Sequence, residues 1–139
     1  MLNTQLYKSV YNLAGELINA ANNEDKPQFD LLYTQLHAIC VDNENSEKDH
    51  PVQWETLADF TEDLEQAITL YQKALDKAVA INSKDYMSSI AFSMATLQTE
   101  LGHIDAAIKN LQNAKTHANK SDDKELKLEI DELLKALLS

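Results

Sequence analysis

Residues 64–78, LEQAITLYQKALDKA, and residues 104–118, IDAAIKNLQNAKTHA, carry one helical pattern at two places forty positions apart. Small and large apolar residues alternate on one helical stripe of each copy: Ala67, Tyr71, Ala74 and Ala78, then Ala107, Leu111, Ala114 and Ala118. Small residues on such a stripe let a second helix approach closely. A period of about 20–50 residues is typical of stacked helical hairpins. The repeat therefore predicts a stack of helical hairpins that presents a surface for binding.

The composition indicates an all-α fold in a single domain covering residues 1–139. The chain has only two Gly and two Pro, and it is rich in Ala, Leu, Lys, Glu and Gln, which favour helix. No stretch combines period-two alternation with β-branched residues and flanking turn signals, so we predict no strands. A chain of 139 residues is long enough to bury a real core.

Apolar periodicity and capping residues predict about seven helices joined by short turns. The first three helices run from Asn3 to Ala21, from Pro27 to Asp42 and from Pro51 to Ala58, and Asp25 or Lys26 caps the second. The fourth begins at a Thr61 signal and ends at Ile81, and the fifth begins at a Ser83 cap and ends at Leu101. The sixth runs from Ile104 to Ala118, and the seventh begins at Ser121. The very polar run 43–49 should be an exposed loop. A second apolar stripe on the first helix, at Tyr7, Tyr11, Ala14 and Ile18, predicts contacts on two sides.

The charge pattern disfavours several classes of partner. The net charge is −11, and all twelve basic residues are Lys. Nucleic acids and anionic membranes repel such a chain, and the forked contacts of Arg to phosphate are missing, so we expect neither as a partner. Cys40 is the single cysteine, and residues 1–6 do not look like a signal peptide, so we expect a cytoplasmic protein with no disulfide.

The second copy of the pattern resembles the tetratricopeptide repeat family. It has Leu101-Gly102 before the helix, Ile104-Asp105-Ala106-Ala107-Ile108 at its start, then Leu111 and Ala114, with Ala95 in the preceding helix. The first copy departs from the family pattern, with Glu62 in place of Gly102 and Glu55 in place of Ala95. Its turn should therefore be looser and its helix crossing wider. The forty-residue period is similar to the long repeats of kinesin light chains and Rap-type regulators.

The resemblance implies a short right-handed superhelix of antiparallel hairpins. It covers residues 50–120 as two hairpins and residues 121–139 as a capping helix, whereas residues 1–49 would be a divergent hairpin or an addition that fills the groove. In the family, the first helix of each hairpin lines a concave groove that binds a peptide or helix. The matching positions here are Gln53, Thr56, Asp59, Ser89, Ser93, Thr96 and Glu100. Because they include no Lys or Arg, binding of chaperone tails is not expected.

The expected function is therefore a non-catalytic protein-interaction module that needs no cofactor, and two other interpretations remain open. The groove positions could be ordinary solvated helix faces. The chain could also be a structural bundle that dimerises through an apolar edge of its last helix, formed by Leu126, Ile130, Leu133, Leu134 and Leu137.

Candidate chemistry is sparse. Two Glu-x-x-His spacings end at His50 and His103, but these lie in a loop and a turn, where they cannot converge on a bundle core. We therefore expect no metal site and no enzyme. Cys40 and Trp54 should be core residues, with Trp54 anchoring the third helix, although an exposed aromatic anchor is the alternative for Trp54.

Overall fold

The computed structural model describes residues 3–139 and is all-helical, with seven helices in this range and no strand. Met1 and Leu2, part of the stretch in which no signal peptide is expected, lie outside the described residues. The helices are α1 (Thr4–Asn22), α2 (Lys26–Asp42), α3 (Pro51–Asp59), α4 (Leu64–Ala80), α5 (Lys84–Glu100), α6 (Ile104–Ala118) and α7 (Lys124–Leu138). The predicted fold class is confirmed. No described helix has the length and hydropathy that crossing a bilayer requires.

Helix starts are set by polar side chains that accept hydrogen bonds from the first turn. Six helices are capped in this way, by Asn3, Asp25, His50, Asp63, Ser83 and Asp123. The expected signal at Thr61 is wrong by two residues, because Asp63 caps α4 instead. Thr61 is buried; its hydroxyl lies 2.7 Å from the Tyr33 hydroxyl and donates to the carbonyl of Leu57.

Three of the turns between helices share one geometry. Each places a residue with positive φ just after the helix end, namely Glu24 (56°), Asn82 (54°) and Gly102 (81°). The next residue then donates its N–H to a carbonyl five residues earlier; these bonds are Asp25 to Ala20 at 2.9 Å, Ser83 to Ala78 at 3.0 Å and His103 to Gln98 at 2.8 Å. This is the Schellman arrangement that closes a helix C-terminus. The predicted role of Gly102 is confirmed.

The helices pack in chain order, each against the next, and α3 also contacts α1 and α5. Short connections between packed neighbours make them antiparallel. Both copies of the repeat turn their predicted stripes into the interior: Tyr71 is 6% exposed, and the other seven residues of the two stripes are at most 1% exposed. One core joins α1 to α5 and a second joins α5 to α7, so α5 contributes to both.

The loop between α2 and α3 is tied down more firmly than its polar sequence suggests. The Trp54 indole donates to Asp49 Oδ1 at 2.8 Å, and Lys77 of α4 pairs with Asp49 at 2.7 Å. The Lys73 ammonium lies 4.3 Å from the centroid of the Trp54 ring, a cation–π geometry. Trp54 is only 2% exposed, which confirms its expected burial.

Two apolar surfaces differ from the expectations. α1 does contact two helices, α2 and α3, yet its second stripe stays largely open, with Tyr11 69% and Ile18 50% exposed. The apolar edge of α7 that we considered for dimerisation is instead turned inward. Ile130 is fully buried, and Leu126, Leu133, Leu134 and Leu137 pack against the second core. This edge therefore covers the second core.

Candidate functional site

The predicted groove residues of α3 do not share one surface. Gln53 is 1% exposed, and its amide nitrogen donates to the Lys48 carbonyl at 2.7 Å, so it supports the α2–α3 loop. Its assignment to the groove is wrong, because its side chain is bound on the loop side of α3. Thr56 is half-buried, and its hydroxyl donates to the Val52 carbonyl one turn earlier at 2.6 Å. Asp59 alone of the three reaches across to another helix.

Two carboxylates on α3, one turn apart, form the centre of the site. Glu55 Oε2 accepts a hydrogen bond from the Ser89 hydroxyl of α5 at 2.6 Å. Asp59 Oδ1 accepts one from the Tyr71 hydroxyl of α4 at 2.5 Å. Residues four apart lie on the same side of a helix, so both carboxylates belong to one face. We call the surface formed by Glu55, Asp59, Tyr71, Ser89 and Ser93 the acidic face.

Three of these five residues, Asp59, Ser89 and Ser93, are among the predicted groove positions, whereas Glu55 and Tyr71 are not. In the sequence, Glu55 is only a departure from the small residue at the matching position of the second copy. That departure is the sequence signal for a functional position, because a charged group at a close helix crossing is costly unless it has a bonding partner. Tyr71 was assigned to the core stripe, which is correct for its ring but overlooks its hydroxyl.

The remaining predicted residues continue along α5 without joining this network. Ser93 lies beside Tyr71, and its hydroxyl counters the rise in the Tyr71 pKa. The Thr96 hydroxyl donates to the Phe92 carbonyl of its own helix at 3.0 Å. Glu100 is exposed at the last residue of α5. Thr96 and Glu100 therefore extend the helix face on which Ser89 and Ser93 lie, at one-turn spacing.

Burial dominates the electrostatics of the acidic face. Desolvation raises the pKa of Glu55 to about 7; the Ser89 hydrogen bond opposes this rise and the charge of Asp59 adds to it. Burial also raises the pKa of Asp59, against the effect of the Tyr71 hydrogen bond. The pKa of Tyr71 is raised by burial and then by the nearby Asp59 and Glu55 charges. Ser89 and Asp59 are thus the groups that shift the Glu55 pKa, and Tyr71 is the group that shifts the Asp59 pKa; within residues 3–139 neither carboxylate forms an ion pair.

A hollow of about 420 Å³ adjoins the acidic face and shares Ser89 with it. Its walls come from the start of α5 and from the α6–α7 turn with the first turn of α7. The lining residues are Asp85, Tyr86, Ser89, Ser121, Asp122, Asp123 and Leu126. Three of the seven are acidic, and Tyr86 and Leu126 offer apolar surface. The combination suits a ligand that is both cationic and partly apolar.

The first helix approaches the same region. Burial, Glu55 and then Tyr7 raise the pKa of Tyr86, so Tyr7 lies near Tyr86. Tyr7 also stacks on Tyr11 with ring centroids 6.5 Å apart. Tyr7 of α1 is therefore close to one of the residues that line the hollow.

The histidine and cysteine side chains that could carry chemistry lie at helix ends or in the core. His50 caps α3, its Nδ1 accepting from the Val52 N–H at 3.1 Å, and its ring meets Tyr86 edge-on at 5.1 Å. His103 stands at the start of α6. Cys40 is fully buried, as expected, and burial raises its pKa to about 12, which keeps the thiol protonated. Within residues 3–139 no three His, Cys, Asp or Glu side chains are placed to hold a metal ion.

No protein-family model, curated protein or solved structure matches this chain.

Proposed function

We propose that this protein is a non-catalytic interaction module with a tetratricopeptide-like arrangement of hairpins, and that it binds a peptide or helix across the acidic face. One observation carries the proposal: the half-buried Glu55 carboxylate and the more exposed Asp59 carboxylate lie one turn apart, and the hydrogen bonds that they accept come from hydroxyls. A half-buried carboxylate without a countercharge costs stability. A chain keeps such groups where they serve recognition.

The partner segment that fits carries a Lys or Arg side chain together with apolar residues. A cation seated against Glu55 and Asp59 supplies the countercharge that the protein lacks there. The surrounding Asp85, Asp122 and Asp123 attract the same charge. Tyr86 and Leu126 provide apolar contacts beside it. The net charge of −11 strengthens the attraction at long range.

The mechanism is recognition by a surface that is ordered before the partner arrives. The Glu55–Ser89 and Asp59–Tyr71 bonds hold the carboxylates in place across three helices. A surface already fixed in this way loses little conformational entropy on binding, so more of the contact energy appears as affinity. The preference of the face for cations also predicts binding that weakens with salt.

Affinity capture from the native cell tests this proposal with two matched pairs of variants. Ser93→Lys and Glu55→Gln alter the acidic face, whereas Thr69→Lys and Glu129→Gln make the same changes at exposed positions on α4 and α7. We expect the wild type and the two controls to retain one set of proteins that both acidic-face variants lose. With the purified partner, calorimetry should give affinities about tenfold weaker or more for the acidic-face variants.

The comparison within each pair decides the outcome, since circular dichroism confirms that every variant is helical. If Ser93→Lys retains the same proteins as Thr69→Lys, in the same amounts, the acidic face is not the binding surface. If the retained partner binds equally well at low and high salt, the cationic recognition is wrong even where the surface is right.

A further inference from the structure

The outer side of α7 carries a second repeat pattern that the packing of the fold does not use. Lys124, Leu128, Asp131, Lys135 and Leu138 follow one another at steps of four, three, four and three residues. This spacing gives a period of 3.5, the period of the contact line between paired helices. Two of the five positions are apolar and three are charged. We call these five residues the seam. The residues that cover the second core lie on the other side of α7.

This seam is exposed. Leu128 is 59% and Leu138 61% exposed, and Lys124, Asp131 and Lys135 are exposed as well. A single exposed Leu is ordinary on a protein surface. Two of them, in register with each other on one helix and separated by two opposite charges, form a pattern that has a specific complement.

That complement is the same seam running in the opposite direction. In an antiparallel pair of helices related by a two-fold axis near position 133, Leu128 of one copy faces Leu138 of the other. In the same register, Asp131 of each copy faces Lys135 of the other. A parallel pair would instead place Asp131 against Asp131 and Lys135 against Lys135, which repels. The charges therefore select the antiparallel arrangement.

The surface beside the seam has room for the opposing side chain. A hollow of about 480 Å³ lies where α6 meets α7, and it is lined by Lys115, Asp131, Leu134, Lys135, Leu138 and Ser139. In the antiparallel arrangement, the Leu128 side chain of a second copy would lie against Leu138 at the edge of this open hollow. Asp131 is available for the new pair, since its present partner Lys115 lies 3.2 Å away in a bridge whose two side chains are about half exposed. Such a surface bridge contributes little and is easily exchanged.

We propose that two copies of this chain associate through their outer α7 faces as an antiparallel pair, with Leu128 on Leu138 and Asp131 paired with Lys135 of the second copy. The contact is isologous, because each copy offers the same residues to the other. Two heptads with charged central layers make a small interface, so the association should be weak, with a dissociation constant on the order of tens of micromolar.

Sedimentation velocity on the full chain, from about 5 to 500 µM at low salt, tests the association. We expect a concentration-dependent shift from monomer to dimer. Leu128→Gln should weaken the dimer about tenfold or more, whereas Leu31→Gln, the same change at a Leu 55% exposed on α2, should leave it unchanged. A chain that stays monomeric over the whole range overturns the proposal, as does equal dimerisation of the two Leu variants.

Two opposite charge reversals test the register. Asp131→Lys alone places Lys against Lys, and Lys135→Asp alone places Asp against Asp, so each variant by itself should dimerise about tenfold less than the wild type. Mixing the two variants restores both pairs at once, and we expect the mixture to form a heterodimer at least as readily as the wild type forms its dimer. Failure of the mixture to recover contradicts the Asp131–Lys135 pairing.

Discussion

The α3–α4 hairpin and the α5–α6 hairpin are built from the same repeat, and they differ most where the acidic face lies. Their apolar stripes occupy equivalent positions and are buried to nearly the same extent. At the crossing of the paired helices, however, the second hairpin has Ala95, which is fully buried, whereas the first has Glu55. The buried stripe thus stabilises both hairpins in the same way. At the helix crossing, however, the first hairpin has a half-buried carboxylate where the second has a closely packed Ala.

The hydrogen bonds that join each pair of helices differ between the two hairpins in the same way. In the first hairpin, Asp59 accepts a hydrogen bond from Tyr71. Thr99 and Leu111 occupy the equivalent positions of the second hairpin. There the hydrogen bond lies one residue earlier on each helix, from the Asn110 amide to Gln98 Oε1 at 2.8 Å. Ala58 and Leu70 hold the corresponding positions of the first hairpin. Each hairpin therefore has side-chain hydrogen bonding between its helices, and in the first hairpin the acceptor is a carboxylate.

The comparison predicts its largest effect for Ala95→Glu, which gives the second hairpin the crossing of the first. Ala95 has no exposed surface, and it packs in the second core among apolar side chains such as Ala107 and Leu111. We expect a loss of about 3–5 kcal/mol in the free energy of unfolding, since a buried charge is left without a partner. Urea denaturation followed by circular dichroism measures it.

Ala106→Glu is the matched control, because Ala106 is exposed on α6. It should change the stability by less than about 0.5 kcal/mol. If Ala95→Glu is as stable as this control, the second hairpin tolerates a carboxylate at its crossing and the contrast between the hairpins disappears.

The next effect concerns pH, and it tests whether the ionised Glu55 side chain lowers the free energy of unfolding. Its pKa rises from 4.5 to about 7 on folding because of burial. Between these two values the folded chain retains a proton that the unfolded chain has lost, so the free energy of unfolding falls as the pH rises through this window. Glu55→Gln removes this contribution, and the variant should be roughly 2–3 kcal/mol more stable than the wild type at pH 8 but similar to it at pH 4.5.

Denaturation of both proteins at several pH values across this window checks the prediction. Only their difference is informative, because other groups titrate equally in the two proteins. Glu129→Gln on the exposed side of α7 should show no such pH-dependent difference. A constant difference between wild type and Glu55→Gln at every pH would contradict the raised pKa. A variant that gains stability while losing partner binding would connect the cost to the function.

The smallest effect concerns the turns of the two hairpins. Gly102 has φ of 81°, and nothing lies within 4 Å of a Cβ built there, so Gly102→Ala meets only backbone strain. We expect a loss of about 1 kcal/mol. Gly15→Ala, also without a neighbour within 4 Å but inside α1, should instead gain about 0.5–1 kcal/mol from helix propensity.

Glu62→Gly completes this test in the first hairpin. The turn before α4 is closed by N–H bonds from Phe60 to Leu57 and from Thr61 to Ala58, and Glu62 does not have positive φ. Glycine should therefore bring no gain at this position, and thermal denaturation of the three variants gives their order. A stabilising Glu62→Gly would show that this turn is strained in the same way as the others.

Much of the fold was predictable because helix periodicity and capping act over a few residues. The stripes of α4 and α6, the Ser83 cap and the Gly102 turn depend on local spacing, and the structure has them where the sequence predicts. The Thr61 signal failed because Asp63 competes for the same cap two residues later. Gln53 was misplaced because the α2–α3 loop, which has no periodic signal, folds back and accepts its amide.

The sequence by itself determined the helical class, the number of helices and which stripe of each repeated helix is buried, because each of these follows from the order of residues along one helix. Only the tertiary structure decided that Glu55 meets Ser89 and that Asp59 meets Tyr71. It also decided that the apolar edge of α7 covers the second core while Leu128 and Leu138 stay outside. Hydrogen bonds between residues 12 to 34 positions apart, and the pKa of a carboxyl, depend on which helices become neighbours. Spacing along the chain does not contain that information.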